Sequence, residues 1–183
     1  MSRTPSLISQ ETYMVEQALR SCIEQLLDVI DLLSDEIYIA QATPQESSIG
    51  CHFRHMIEFI QMLREQAPEG CADYERRNRV KILEQDRSAA RLSVKENGRL
   101  LLEVLGDLGA DYAVAQSQTP FESAGKIQLK TSLGREAMFV IDHAIHHLAL
   151  IRVLASRLGV ELPRSFGLAI STQEHMRKQV VSS

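Results

Sequence analysis

Apolar residues recur along the first forty positions in a helical rhythm. Leu19, Ile23, Leu26, Ile30, Leu33 and Ile37 are separated by alternating steps of four and three, the spacing of one helix face turned toward a core. No Gly or Pro interrupts the run from Gln10 to Ala40, so the pattern predicts a single long helix there. It stops at Thr43-Pro44, because a residue before proline avoids the helical region. A second stripe, Ile49, Phe53, Met56, Ile60 and Leu63, predicts a helix opened by Ser47 or Ser48, both suited to an N-cap. The turn residues Ala67-Pro68-Glu69-Gly70 close it.

A third helix is predicted from the capping residue Asp86 to about Leu108, with Ala90, Val94, Leu101, Val104, Leu105 and Leu108 as its apolar positions. Gly98 inside it costs about 1 kcal/mol relative to Ala, and Gly106 and Gly109 mark its end. The fourth, from Thr131 or Ser132 to Leu158, is apolar on nearly every side: Phe139, Val140, Ile141, Ile145, Leu148, Leu150, Ile151 and Leu154. Such a pattern places it in the middle of a bundle, with Gly159 at the position that ends it. Residues 70–85 read as irregular and charged. Residues 110–131 stay open between an extended connection and a short hairpin pairing Tyr112–Val114 with Ile127–Leu129. The tail from Val160, broken by Pro163 and Gly167, has room for one helical turn. The expectation is an all-α chain: one four-helix-bundle domain over residues 1–183, with mixed short and long connections and flexible ends at 1–9 and 176–183.

Composition narrows the function. A chain of 183 residues is long enough to bury one sizeable core. Its 20 Lys and Arg against 24 Asp and Glu leave a net charge of −4, which lacks the electrostatic footprint of a nucleic-acid binder and of a polybasic membrane-surface protein. No window approaches the roughly 20 apolar residues of a membrane span, and Met1 to Gln10 lacks the apolar core of a secretion signal. Three cysteines, Cys22, Cys51 and Cys71, form no CxxC and are odd in number. They read as reduced thiols, which points to the cytoplasm.

The histidines carry the chemistry. Five of six fall in two short helical segments, Cys51-His52-Phe53-Arg54-His55 and His143-Ala144-Ile145-His146-His147. His52 and His55 share a helix face, and so do His143 and His147. A lone histidine on a helix is usually a surface or satisfied core residue. Two clusters in an otherwise histidine-poor chain change that reading, because uncompensated imidazoles on the most apolar helix each cost a few kcal/mol. If the faces meet, three or four imidazoles converge, as they do around Zn, Ni, Cu or Fe(II). Three protein ligands leave a position open for water or substrate, the arrangement of a catalytic metal. A ferritin-type di-iron centre is disfavoured, since the helical segments hold no Glu-x-x-His pair.

The run Ser48-Ile-Gly-Cys-His-Phe-Arg-His55 resembles the second helix of the DinB/YfiT-like superfamily, where a Ser/Thr-apolar pair precedes a metal-binding histidine by seven and six positions. The run His143-Ala-Ile-His-His147 resembles that family's H-x-x-H-H motif, whose first and last histidines bind metal. Tyr74–Arg79, Arg135–His143 and Leu162–Gly167 are similar to segments of one DinB-like subgroup. The resemblance implies a four-helix bundle that binds one divalent metal (Zn, Ni or Fe) through His55, His143 and His147, and that is frequently a homodimer. Characterised relatives include transferases using the low-molecular-weight thiols bacillithiol or mycothiol, and a mycothiol-dependent maleylpyruvate isomerase. A small thiol is therefore the cosubstrate the resemblance implies.

His52 lies nearer the apolar stripe than His55 and stays open as ligand, fourth ligand or general base. His146 points about 100° away from His147 and reads as a hydrogen-bonded residue beside the site. Glu136, two turns before His143, is a candidate to orient an imidazole or act as base; the alternative is a first-turn Glu favoured by the helix dipole. Glu58 is read in the same two ways, and Asp142 falls off the metal face. Arg76, Arg77, Arg79 and Lys81 form the only basic cluster, a candidate anion site or a solvated loop. Cys51 reads as a small buried hydrophobe or a nucleophile, Cys71 as an exposed thiol, and His175 as a surface residue. Tyr13, Met14 and Tyr38 extend the apolar surface of the first helix, which predicts a homodimer contact. Two functional readings follow: a metal-dependent transferase or hydrolase acting on a small molecule, or a non-catalytic metal-binding, stress-associated dimer.

Overall fold

The computed structural model describes residues 8–168 and residue 172. Expectations for residues 1–7, 169–171 and 173–183, His175 among them, lie outside the described residues. The chain forms helices α1 (Gln10–Asp31), α2 (Asp35–Ile39), α3 (Ile49–Gln66), α4 (Ile82–Gln85), α5 (Arg87–Leu108) and α6 (Leu133–Arg157). Strands β1 (Cys71–Ala72), β2 (Ala113–Gln118) and β3 (Ile127–Ser132) complete it. Each long helix opens on a side-chain cap, three of them at residues the sequence offers for it and the first at Ser9, which it did not single out. Ser9, Ser48, Asp86 and Ser132 accept the N–H of Thr12, Cys51, Ala89 and Arg135, which satisfies a backbone donor that has no partner within the helix. The closing glycines also behave as expected: Gly109 and Gly159 take positive φ just past α5 and α6, whereas Gly106 lies within α5.

The four long helices pack in a cycle, α1 against α5 and α6, and α3 against the same two. Leu26, Ile30, Phe53, Ile57, Leu63, Leu101, Leu105, Leu133 and Ile151 are fully buried between them. Gly98 has a packing role that its helix propensity does not reveal. A Cβ there would lie 2.6 Å from Ile23 Cδ1, so the missing side chain lets α5 approach α1.

Four expectations are corrected. The first helix ends at Asp31 and restarts at Asp35, because the Ser34 side chain accepts the Ile37 N–H and offers the backbone a local alternative to continuing. The turn swings Tyr38 inward: it is fully buried against Phe53 and donates to the Leu83 carbonyl at 2.7 Å. Tyr38 is therefore core, while Tyr13 and Met14 remain exposed.

Second, α6 is one side of the helix cycle and not its centre. It leaves Phe139, Leu150 and Val153 exposed, since each helix of a cycle gives only one face to the core. By length and composition α6 is also apolar enough to cross a membrane, contrary to the sequence count. Its inner face, from Leu133 and Ala137 to Leu148 and Ile151, is packed within the protein.

Third, the chain is mostly helical, so the all-α expectation broadly holds, but it leaves out a small three-stranded sheet. Residues 113–132 form an antiparallel hairpin with Val114 opposite Thr131, and β1 adds to β2 in parallel with Cys71 opposite Ala115. The β1–β2 pairing joins segments distant in the chain, beyond the reach of local periodicity.

Fourth, Cys71 is half-buried, and its thiol donates to the Gln66 carbonyl. Cys51 packs against Ser48 in a cleft lined by Glu84 and Gln85. Burial pushes the Cys22 thiol up to about 12, which leaves it inert.

Gly50 marks the tightest helix contact: a Cβ there would sit 2.1 Å from the Glu84 carbonyl oxygen. Overpacking costs about 1–3 kcal/mol or more, against about 1 kcal/mol gained from helix propensity. Gly50→Ala is expected to destabilise the protein by about 2 kcal/mol in urea melts. Gly125→Ala, where a Cβ meets nothing within 4 Å, is expected to leave the midpoint unchanged.

Candidate metal centre

Ser48 fixes the start of α3 and so the phase of its first turns, which carry His52 and His55. Ser132 does the same for α6, placing His143 and His147 on one face in mid-helix. Where α3 packs on α6 the two faces meet. One ligating nitrogen from each of His55, His143 and His147 lies within 4.8 Å of the others. His55 Nε2 is 2.8 Å from His143 Nε2, and His52 Nδ1 is 2.8 Å from His147 Nδ1. All four rings are half-buried. His146 is exposed and meets His147 only edge-on, with centroids 5.5 Å apart.

Burial is the main force on every one of these imidazoles, and it acts against the charged form. It brings His55 down to about 4, aided by the positive charge of Arg77. It brings His147 down to about 3, aided by His55 and His143. His52 and His143 are lowered by burial and then by His146. All four are neutral at physiological pH, the state in which imidazole binds a metal.

The surrounding residues orient the rings. Arg77 donates to His55 Nδ1 and stands over the Phe59 ring, 5.1 Å from its centroid. Phe59 in turn stacks on His143 at 4.3 Å and on Tyr74 at 4.8 Å. Arginine is always a donor, so His55 accepts at Nδ1 and carries its own proton on Nε2, toward His143. The donor set fits a three-nitrogen cation site. A tetrahedral ion about 2.0–2.1 Å from each nitrogen would hold ligand pairs about 3.3 Å apart. His55 must open from 2.8 Å to that separation, and Arg77 must leave Nδ1 for Nε2 to coordinate. His147, tied to His52 through Nδ1, has Nε2 left for a ligand bond.

The carboxylates behave differently from one another. Glu136 is buried, but its Oε2 accepts the Tyr74 hydroxyl at 2.9 Å, so its bond goes to Tyr74 and not to an imidazole. Burial, then the Glu136 charge, pushes the Tyr74 hydroxyl up and keeps it protonated as that donor. Glu58, only 1% exposed, accepts the Val80 N–H at 2.8 Å and pins the loop that carries Arg77. Asp142 is exposed, as expected, and so are Arg76, Arg79 and Lys81. Arg77 alone of the basic cluster turns inward. Nothing in the run Arg76-Arg77-Asn78-Arg79 distinguishes it, because its selection depends on how the loop folds over α3.

Beside the imidazoles lies a cavity of about 580 Å³, walled by Phe59, Tyr74, Phe139, Arg77 and Glu136 on one side and by the β2–β3 hairpin on the other. The hairpin wall, Gln116–Gln118 and Leu129–Thr131, was not identified from the sequence.

Residues 18–151 match the family model of the DinB superfamily. The chain is also 33% identical over 114 residues to FK506-binding protein 5 of Rhizopus delemar, covering 58% of this chain and 28% of that protein. The chain thus spans less than a third of the length of this curated relative.

The lowered imidazoles make a pH prediction for the metal-free protein. Unfolded histidines titrate near 6.5, whereas His55 and His147 hold out to about 4 and about 3. Between those values the unfolded chain binds more protons, so stability is full above about 6.5 and is lost as pH falls through that window. The urea midpoint of chelator-treated protein is expected to drop between neutrality and about pH 5. His147→Gln is expected to flatten that drop; an unchanged slope would refute the assignment.

Proposed function

Because this chain belongs to the DinB superfamily, we propose that it is a metal-dependent enzyme of the four-helix-bundle type. It holds one divalent cation (Zn, Ni or Fe) through His55, His143 and His147. Its reaction is thiol transfer or hydrolysis on a small molecule. The observation that carries this reading is the convergence of those three imidazoles, within 4.8 Å of one another, beside a cavity large enough for a small molecule. The bound cation supplies Lewis acidity, the property that makes water or a thiol nucleophilic at neutral pH.

The protein's own residues prepare that chemistry. His52 holds His147 by its Nδ1, which fixes the ring's orientation. Phe59 stacks on His143 and holds it against the cavity wall. Glu136 accepts the Tyr74 hydroxyl at Oε2, and Oε1 stays available as a base for a molecule in the cavity. Small molecules are the partners this geometry accommodates, with a low-molecular-weight thiol as cosubstrate. The reduced cysteines fit a cytoplasmic setting.

A homodimer belongs to the same reading. Ile8, Tyr13 and Met14 form an exposed apolar group around the start of α1, and exposed apolar clusters mark interfaces. Light scattering is expected to give twice the 20.6 kDa of one chain; a mass near 20.6 kDa would refute it.

Elemental analysis tests the metal. One divalent ion per chain is expected from wild type, with stoichiometric binding lost in His55→Ala, His143→Ala and His147→Ala. His146→Ala is expected to retain the ion, and His52→Ala to weaken binding about 10–100-fold, as loss of an orienting partner does. Full metal in all three ligand variants, or none in wild type, would overturn the proposal and favour a non-catalytic bundle protein.

A further inference from the structure

The cavity beside the imidazoles has a charge pattern that selects its occupant. Two carboxylates line it, and each already accepts from a protein donor. Glu136 takes the Tyr74 hydroxyl. Glu75 takes the Thr119 N–H and hydroxyl, each at 2.8 Å, and pairs with Lys126 at 3.5 Å. Two cations that line the cavity are unspent: the side chains of Lys130 and Arg135 have no hydrogen bond or ion pair among the described residues. Both are exposed, so neither is needed to hold the fold.

The remaining wall is aromatic. The Phe59 and Tyr74 rings lie 4.8 Å apart and 7° from parallel, and Phe139 leans against Tyr74 at 5.4 Å. Phe59 is also stacked on His143 and so joins the cavity lining to the imidazoles, while Phe139, the most exposed of the three rings, offers the open surface. Aromatic rings and free cations lining one cavity match a ligand with the same two parts. Arg135 adds geometric preference, since its planar fork fits a carboxylate through two parallel hydrogen bonds.

We propose that this cavity binds an aromatic carboxylate, its ring against Phe59, Tyr74 and Phe139 and its carboxylate held by Lys130 and Arg135. That the bound molecule is the substrate rests on the enzymatic reading above; the binding itself does not. The site would reject an equally large neutral molecule by the strength of the charge-assisted bonds it lacks.

The test is calorimetric titration of the full-length protein with 2-naphthoate and with neutral 2-naphthalenemethanol, in metal-loaded and chelator-treated samples. The carboxylate is expected to bind about tenfold tighter or better, the size of a charge-assisted hydrogen bond. The double variant Lys130→Met/Arg135→Met is expected to erase that preference and leave the alcohol unaffected. Phe139→Ala is expected to weaken both probes about equally. Equal affinity for the two probes, or an unchanged preference in the double variant, would overturn the inference. The outcomes separate the two readings: selective binding by a protein that never takes up metal sinks the enzyme and keeps the cavity, and a stoichiometric metal with no probe preference does the reverse.

Discussion

The contact between α3 and α6 is the constraint on which the site depends. It sets four imidazoles in half-buried space, with ring centroids 4.7–5.1 Å apart around His147 and His55. Burial keeps the rings neutral, and at 2.8 Å one nitrogen of each pair, His55–His143 and His52–His147, donates its proton to the lone pair of the other. The result is a place that disfavours protons and whose three imidazole nitrogens are spaced as a group that could hold a metal ion. The first effect comes from burial, the largest cause of the shift at every ring. Binding a cation there would replace a nitrogen–nitrogen contact by two coordinate bonds.

The structure around this contact holds it from both sides. On one side, Glu58 takes the Val80 N–H and so anchors the loop that lays Arg77 on His55. A buried carboxylate is costly to leave unpaired, and this one has the Arg77 guanidinium in its field, whose attraction opposes the burial that lowers Arg77. On the other side, Phe59, Tyr74 and Glu136 form a stack tied by a hydroxyl–carboxylate bond. The same stack is the floor of the cavity, so the residues that steady His143 also shape the space a ligand would enter. Arg77 stands where the two meet, in contact with a candidate ligand and lining the cavity.

Much of this was legible along the chain. The apolar stripes located α3, α5 and α6 to within a residue or two, because helix caps and closing glycines are local chemistry: a serine oxygen and an N–H three residues away, a backbone that only glycine adopts freely. The same locality explains the misreading at Leu32–Ser34, where periodicity continued to Ile37 while Ser34 capped a new helix. Periodicity reports which face is apolar, not whether the backbone stays straight. The uniform apolarity of α6 points to a central position, yet part of that surface is exposed, and composition alone does not say which side of a helix finds a neighbour.

The sequence by itself determined the caps of α3, α5 and α6, the four helical stripes and the two pairs of histidines on single helix faces, since each is a matter of residues three or four positions apart. Its resemblance to a metal-binding family singled out His55 from His52. Only the tertiary structure decided that the faces meet, that Arg77 and not Arg76 or Arg79 turns onto His55, and that Glu136 is bound to Tyr74. It alone paired β1 with β2 and so raised the hairpin as a wall of the cavity. These are contacts between residues tens of positions apart. They are set by which surfaces remain to be buried once the helices form, and no local pattern encodes that.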